Sequence, residues 1–388
     1  MKGYPVIILA LFFCGVLNVR FGFQDKTIEY LIHPFPGEEA YATEALPVNF
    51  PDSIILDSIY LLRSETGFPA AYYCDILTTV CSDQECLPVN MRLYWTSTGA
   101  YLGFKLPFGF PLTKKDHIPF TPDEYSALNN LLADRESVLS EYKIEELVVR
   151  DTSIQVDGIS SATNKAIQDV TINGAVYTCH QLWHVVNGAI ASFISAHTQK
   201  EITPAFALKL AENGRTDEIT WLLDHVNLSD SSYNGLKQKL ATFIATLDYS
   251  VSSRILSSLT STDLKDSVIQ HSLLTAYTET TPEIQKIILE TLCKAEDLND
   301  RLFSYFSLNL SKIKSYLMPG CLQLLSKQSR IHPATYECIT GLLEGDNNFL
   351  ISKALLFLQQ TSEVNNKSKS LLSDYYQTTE TGQKDTPQ

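Results

Sequence analysis

The pattern of apolar and polar positions changes character near residue 200. Before it, short runs rich in β-formers at 53–60, 89–95, 101–106 and 153–156 are bounded by turn residues and predict strands. One helix in this half is well marked. Thr121-Pro122-Asp123-Glu124 offers an N-cap hydroxyl, a proline at the first helical position and a glutamate placed to close a capping box. Tyr125, Leu128 and Leu132 then fall on one face. A second helix is predicted from Val176, because Leu182, Val185, Val186, Ala189 and Phe193 recur at helical spacing and carry the chain to about His197.

Past Ile202 the period is helical almost throughout. Ile219, Leu222, Leu223 and Val226 form one stripe, Ile284, Ile287, Ile288 and Leu292 another, and Ile351, Ala354, Leu355 and Leu358 a third. Each reads as a core stripe. Helix starts are signalled by Thr203-Pro204, Thr281-Pro282-Glu283 and His332-Pro333. No strict period is visible, so a HEAT-like helical repeat and an irregular bundle both remain open. The predicted organisation is an α+β domain over 25–199, an all-α HEAT-like repeat or irregular bundle over 200–361, and a polar tail over 362–388 that is a short helix remnant followed by disorder.

The N-terminus concerns address. Lys2 precedes an apolar run over 5–17, shorter than the roughly 20 residues of a membrane span but suited to the core of a secretory signal. Residues 1–24 are therefore read as a signal peptide, with an uncleaved anchor as the alternative and an exported protein, periplasmic or extracellular, as the consequence. Cys14 suggests lipidation, but Phe12 and Phe13 stand where a lipobox wants small residues. No second apolar stretch reaches spanning length, so no transmembrane span is expected in the mature chain.

Composition adds exclusions. With 44% hydrophobic and 19% charged residues among 388, the chain is globular. Thirty basic against 44 acidic residues give −14 with no basic run, which argues against a nucleic-acid partner. Once Cys14 leaves with the signal, seven cysteines remain, an odd number that precludes complete pairing. Cys74, Cys81 and Cys86 cluster closely enough for a structural disulfide, with Cys81 to Cys86 a near pair, while a redox dithiol or metal role is the alternative. Cys293, Cys321 and Cys338 sit in apolar helical contexts and read as small core residues.

One motif points to a chemistry: Val156-Asp157-Gly158-Ile159-Ser160-Ser161-Ala162-Thr163. It resembles the D-[GA]-[IV]-[ST]-G-A-T signature of FMN-binding domains of the covalently flavinylated type. The resemblance implies that Thr163 carries FMN through a phosphodiester bond and that Asp157 is read by the transferase. Gly158, Ser160, Ser161 and Ala162 would then help cradle the phosphate. Small residues with converging backbone amides suit that task. Ser161 stands where the family has glycine; at a position wanting positive φ this would cost about 1 kcal/mol. Thr98 to Phe104 is similar to the family's hairpin strand. The reading without ligand is an Asx-type turn capping a helix that starts near Thr163.

His180 and His184 lie four apart on the predicted helix, away from the stripe of Leu182, Val186 and Ala189, and read as a polar face, with a flavin-facing, partner-facing or metal role as alternatives. Tyr177 and Trp183 could stack on a ring or fill a core. Val176 occupies the position a haem attachment motif would give to cysteine. Asp116-His117 and Glu145-Glu146 read as surface charges. No hydrolase, nucleotide-binding or zinc-protease motif occurs, so no catalytic or metal residue is assigned, and whether the chain is an enzyme stays open. Two functions follow: a flavin-based electron relay between redox partners, with a helical domain docking proteins, or a non-enzymatic exported interaction protein that keeps the fold without flavin.

Overall fold

A computed structural model describes residues 27–382 except 34, 49, 51–55, 57, 79–87, 115–116, 151–160, 164, 213 and 364. The chain divides into two units, Met1–Ser192 and Phe193–Gln388. The first is α+β and the second all-α.

The first unit is built on six strands: β1 (Ile28–Leu31), β2 (Ala42–Pro47), β3 (Ser58–Arg63), β4 (Pro69–Thr78), β5 (Val89–Thr96) and β6 (Tyr101–Leu106). All neighbours are antiparallel, in the order β1-β6-β5-β4-β3-β2, so a five-strand meander takes β1 onto its last edge. The predicted strand at 101–106 is β6, and that at 89–95 is β5 without its last residue. The run at 53–60 overlaps only the start of β3, and 153–156 lies outside the described residues.

Alternation sends Ile59, Leu61, Cys74, Leu93, Trp95 and Phe104 to one buried face. That face is covered by α1 (Pro122–Ala133), which keeps its predicted capping box, and by α3 (Val176–Asn187). Between them run the short hairpin of β7 (Val148–Arg150) and β8 (Ser161–Thr163) and the single turn α2 (Lys165–Gln168). The Trp95 indole N–H donates to Val186 O at 2.9 Å, and the Tyr101 hydroxyl donates to Asn129 Oδ1 at 2.9 Å, pinning both helices to the sheet. Gly103 is needed where β6 meets β1: its φ is 157°, and a Cβ there would lie 2.3 Å from Tyr30 O. On the opposite face Leu62, Ala71, Tyr73, Tyr94 and Leu102 pack under Phe35 and Tyr41 of the connection between β1 and β2. The division between units falls within α4 (Ala189–Lys200).

The second unit contains α5 (Pro204–Ala211), α6 (Thr216–His225), α7 (Asn234–Ala241), α8 (Tyr249–Ser258), α9 (Ser267–Glu279), α10 (Pro282–Leu292), α11 (Asp300–Asn309), α12 (Met318–Ser326), α13 (Pro333–Leu343), α14 (Asn348–Ser362) and α15 (Asn366–Gly382). Odd-numbered helices stack on one another in one layer and even-numbered helices in the other. The stack is a repeat. α7, α9, α11, α13 and α15 start at residues 234, 267, 300, 333 and 366, each 33 after the last. Buried positions follow the same step: Leu222, Ile255, Ile288, Cys321 and Ala354 in one layer, and Leu236, Ile269, Leu302, Thr335 and Ser368 in the other. Side chains of Asp266, Asn299, His332 and Asn365, again 33 apart, accept hydrogen bonds from the first-turn amides of α9, α11, α13 and α15. The period is shorter than the roughly 40–47 residues of HEAT units. Residues 366–382, expected in a polar tail, form α15 because they supply the next turn of this repeat, with Ser368 buried against Tyr336 and Thr361.

Candidate functional site

The motif that suggested flavin falls in two parts. Asp157, Gly158 and Ser160 lie outside the described residues. Ser161, Ala162 and Thr163 are strand β8, opposite Arg150, Val149 and Val148. Extended backbone points successive amides to opposite sides, whereas a phosphate nest needs them to converge. These three residues therefore offer no cradle of their own, and Ser161 meets no demand for positive φ. The helix that follows, α2, has four residues and starts at Lys165.

Of the histidine pair, His184 is exposed, as the polar-face reading expects, whereas His180 is not. His180 is 6% exposed, and α3 presses it against the segment after α1. Its Nε2 lies 2.7 Å from Tyr142 O, while His184 Nε2 lies 3.2 Å from Leu139 O; the two Nε2 atoms are 3.1 Å apart. Nε2–H tautomers let each ring donate to its carbonyl, which ties α3 to the 139–142 turn. Partial loss of hydration around the ring, with His180 adding to it, lowers His184 from the usual histidine value. Trp183, on the same helix, donates its indole N–H to Asp134 O at 2.8 Å and is a packing residue. Among the described residues no three His, Cys, Asp or Glu side chains are grouped to hold a metal.

Cys74, Cys179, Cys293 and Cys321 are buried free thiols, and Cys338 is half-buried; Cys81 and Cys86 lie outside the described residues. Burial pushes the Cys179 thiol up to about 12 and raises Cys74 and Cys321 further, so these sulfurs are unreactive near neutral pH.

A charged cluster that sequence reading missed sits on the second face of the sheet. Arg92 makes two 2.7 Å bonds to Asp75, another of 2.9 Å to Glu38, and lies 4.4 Å above the Tyr73 ring. The Tyr94 hydroxyl also donates to Glu38. Burial alone would raise Glu38, but the Tyr94 and Arg92 bonds hold it below the carboxylate range. The cluster is fully paired and clamps the β1–β2 connection onto the sheet. Its sequence signal was slight: Arg92 and Tyr94 alternate on β5, but Glu38 and Asp75 are distant in sequence.

In the second unit polar side chains tie each repeat to the next. Lys237 and Asp263 form a buried ion pair; 33 residues beyond Lys237, Gln270 bonds to Leu264 O, Asp297 O and Asn299 N. Lys294 and Lys327, also 33 apart, reach the carbonyls of Leu259 and Cys293. These ties leave the helix flanks free. A groove of about 340 Å³ between α9 and α11 is lined by Leu274, Thr275, Arg301, Tyr305 and Leu308. Another, of about 220 Å³, lies between α12 and α14 and is lined by Pro319, Gln323, Lys353, Leu356 and Gln360. Leu308 and Leu356 are both exposed there. No family model, no curated protein and no solved structure matches this chain.

Proposed function

We propose that this chain is an exported, non-enzymatic interaction protein whose helical unit docks a polypeptide partner. The supporting observation is the 33-residue stack with exposed leucine-lined grooves between successive helices of one layer. Repeats that contact only their neighbours present extended surfaces, and an apolar groove with one cation suits an amphipathic segment carrying a carboxylate. Arg301 is that cation in the α9–α11 groove; the α12–α14 groove, where Lys353, Gln323 and Gln360 stand beside Leu356, is as polar as it is apolar.

The test compares the wild-type chain with Leu308→Asp and Leu356→Asp as bait for the exported proteins of the producing cell. One partner recovered in stoichiometric amount by wild type and lost by either variant, with helicity and melting unchanged, is expected. Equal recovery by all three, or none by any, refutes the reading. Absorbance and intact mass separate it from the flavin relay: protein made with transferase and FMN available should be colourless. A yellow chain, heavier by one FMN and restored to polypeptide mass by Thr163→Val, would establish the relay instead.

A further inference from the structure

A polar cleft of about 360 Å³ lies between the loops that precede α7 and α9. That volume is within the range of small-ligand sites. The two loops are the same part of successive repeats, since Ser229 and Thr262, one from each, are 33 residues apart. Lys237 of α7 and Ile269 of α9 also line the cleft, and both are buried, Lys237 at 4% exposure.

The next repeat shows how this position closes when only stacking is required. Gln270, 33 residues after Lys237, donates to Leu264 O at 2.6 Å and to Asp297 O at 2.9 Å, and accepts from Asn299 N at 2.7 Å. Both of its N–H groups are used. Lys237 carries three N–H donors, and among the described residues Asp263 Oδ1 is the one acceptor it meets. The carboxylates beside it are already occupied. Asp263 Oδ2 accepts from Thr260 N at 2.8 Å and Thr260 Oγ1 at 2.7 Å, and Asp266 accepts from Val268 N at 2.7 Å and Gln238 Nε2 at 2.6 Å. The open capacity of the cleft is therefore two ammonium hydrogens, together with the exposed hydroxyls of Ser229, Ser231 and Thr262 and the carboxamide of Asn234. A buried ion pair costs more desolvation than an amide, and Gln270 shows that an amide suffices to join two repeats. The charge at Lys237 thus answers to something other than stacking.

We propose that this cleft binds a neutral sugar ring, with Lys237 donating to its oxygens. Sign and donor pattern select that chemistry. One ammonium stands against the two carboxylates of Asp263 and Asp266, so an anion is repelled. Hydroxyls and a carboxamide both donate and accept, and a ring with adjacent hydroxyls answers each of them in kind. A peptide group, by contrast, has one donor and one acceptor and leaves most of the wall unmatched. Ile269 offers an apolar contact for the C–H face of the ring. A free sugar and the end of a glycan present this same ring. The cleft shares no lining residue with the α9–α11 or α12–α14 groove, so it stands or falls apart from the docking of a polypeptide.

The experiment uses the full chain. Methyl glycosides of glucose, mannose, galactose and N-acetylglucosamine are tested at millimolar concentration by saturation-transfer NMR, and immobilised oligosaccharides that end in the same sugars are tested for retention of the chain. Binding of a glycoside is expected if the ligand is a free sugar, and retention on oligosaccharides alone if it is the end of a glycan. In either arm Lys237→Gln, which installs the residue type of the next repeat, should weaken binding about tenfold or more. Thr262→Trp, from an exposed position, should abolish it by filling the cleft. Circular dichroism checks both variants, and Thr262→Trp decides if Lys237→Gln does not fold. No binding by wild type in either arm overturns the proposal, and so does binding by Thr262→Trp equal to that of wild type.

Discussion

Among the described residues, Glu218 is the carboxylate that burial disturbs most clearly. It is buried at the start of α6; burial raises its pKa to about 7, although Arg215 lies 3.8 Å away and pulls the other way. Arg215 is already engaged by Asp217 at 2.8 Å and so compensates only in part. The folded state therefore binds a proton that the unfolded chain releases near 4.5. Stability from this group is full below about pH 4.5 and is lost as pH rises through 7. Relative to Glu218→Gln, wild type should lose on the order of 3 kcal/mol between pH 5 and 8. Urea unfolding followed by far-ultraviolet circular dichroism measures the difference; parallel pH curves for the two proteins would rule it out. This group could not be found from the sequence, because a glutamate in the first turn of a helix ordinarily faces water and favours the dipole. What was legible at this scale was local. Thr121 and Glu124 close the predicted capping box, whereas His180 and His184 were located without the carbonyls that give them their role.

At the scale of elements, β5 and β6 could be read because short β-rich runs end in turn residues. β4 could not: Tyr72, Tyr73 and Cys74 are buried in succession, so the strand shows no alternation. β2 failed for the opposite reason, being an edge strand with little buried on either side. What joins these strands to helices is equally non-local. Trp95 donates across 91 residues to Val186 O, in the last turn of α3, where helix carbonyls lack internal partners. Trp95→Phe keeps most of the ring but deprives that carbonyl of its donor, at a cost of about 1–3 kcal/mol. The expected result is a lower urea midpoint in the first unit, followed by near-ultraviolet circular dichroism, with the helical transition unmoved. An unchanged midpoint would show that water takes the place of the indole.

Across the whole molecule, the repeat escaped sequence reading because it conserves burial and not identity. The place held by Leu236, Ile269 and Leu302 passes to Thr335 and Ser368, and the place of Ile255 and Ile288 passes to Cys321 and Ala354. The Ser368 hydroxyl finds partners in Tyr336 and Thr361, whereas Thr335 Oγ1 is buried without one, so at that position it is the side chain's size and not its hydroxyl that suits the repeat. The consequence is mechanical. Helices in such a stack are held by their neighbours alone, so a defect propagates only as far as the coupling between repeats allows. Leu273→Ala, in the central α9, should cost about 2–5 kcal/mol and weaken amide protection in the repeats on both sides. Leu358→Ala, of equal burial in α14, should expose α13 to α15 to hydrogen exchange while α5 to α9 keep their wild-type rates. Hydrogen exchange read by mass spectrometry resolves these segments. If both variants lost protection uniformly from α5 to α15, the helices would form one cooperative core, and a docking surface extended along separable repeats would lose its physical basis.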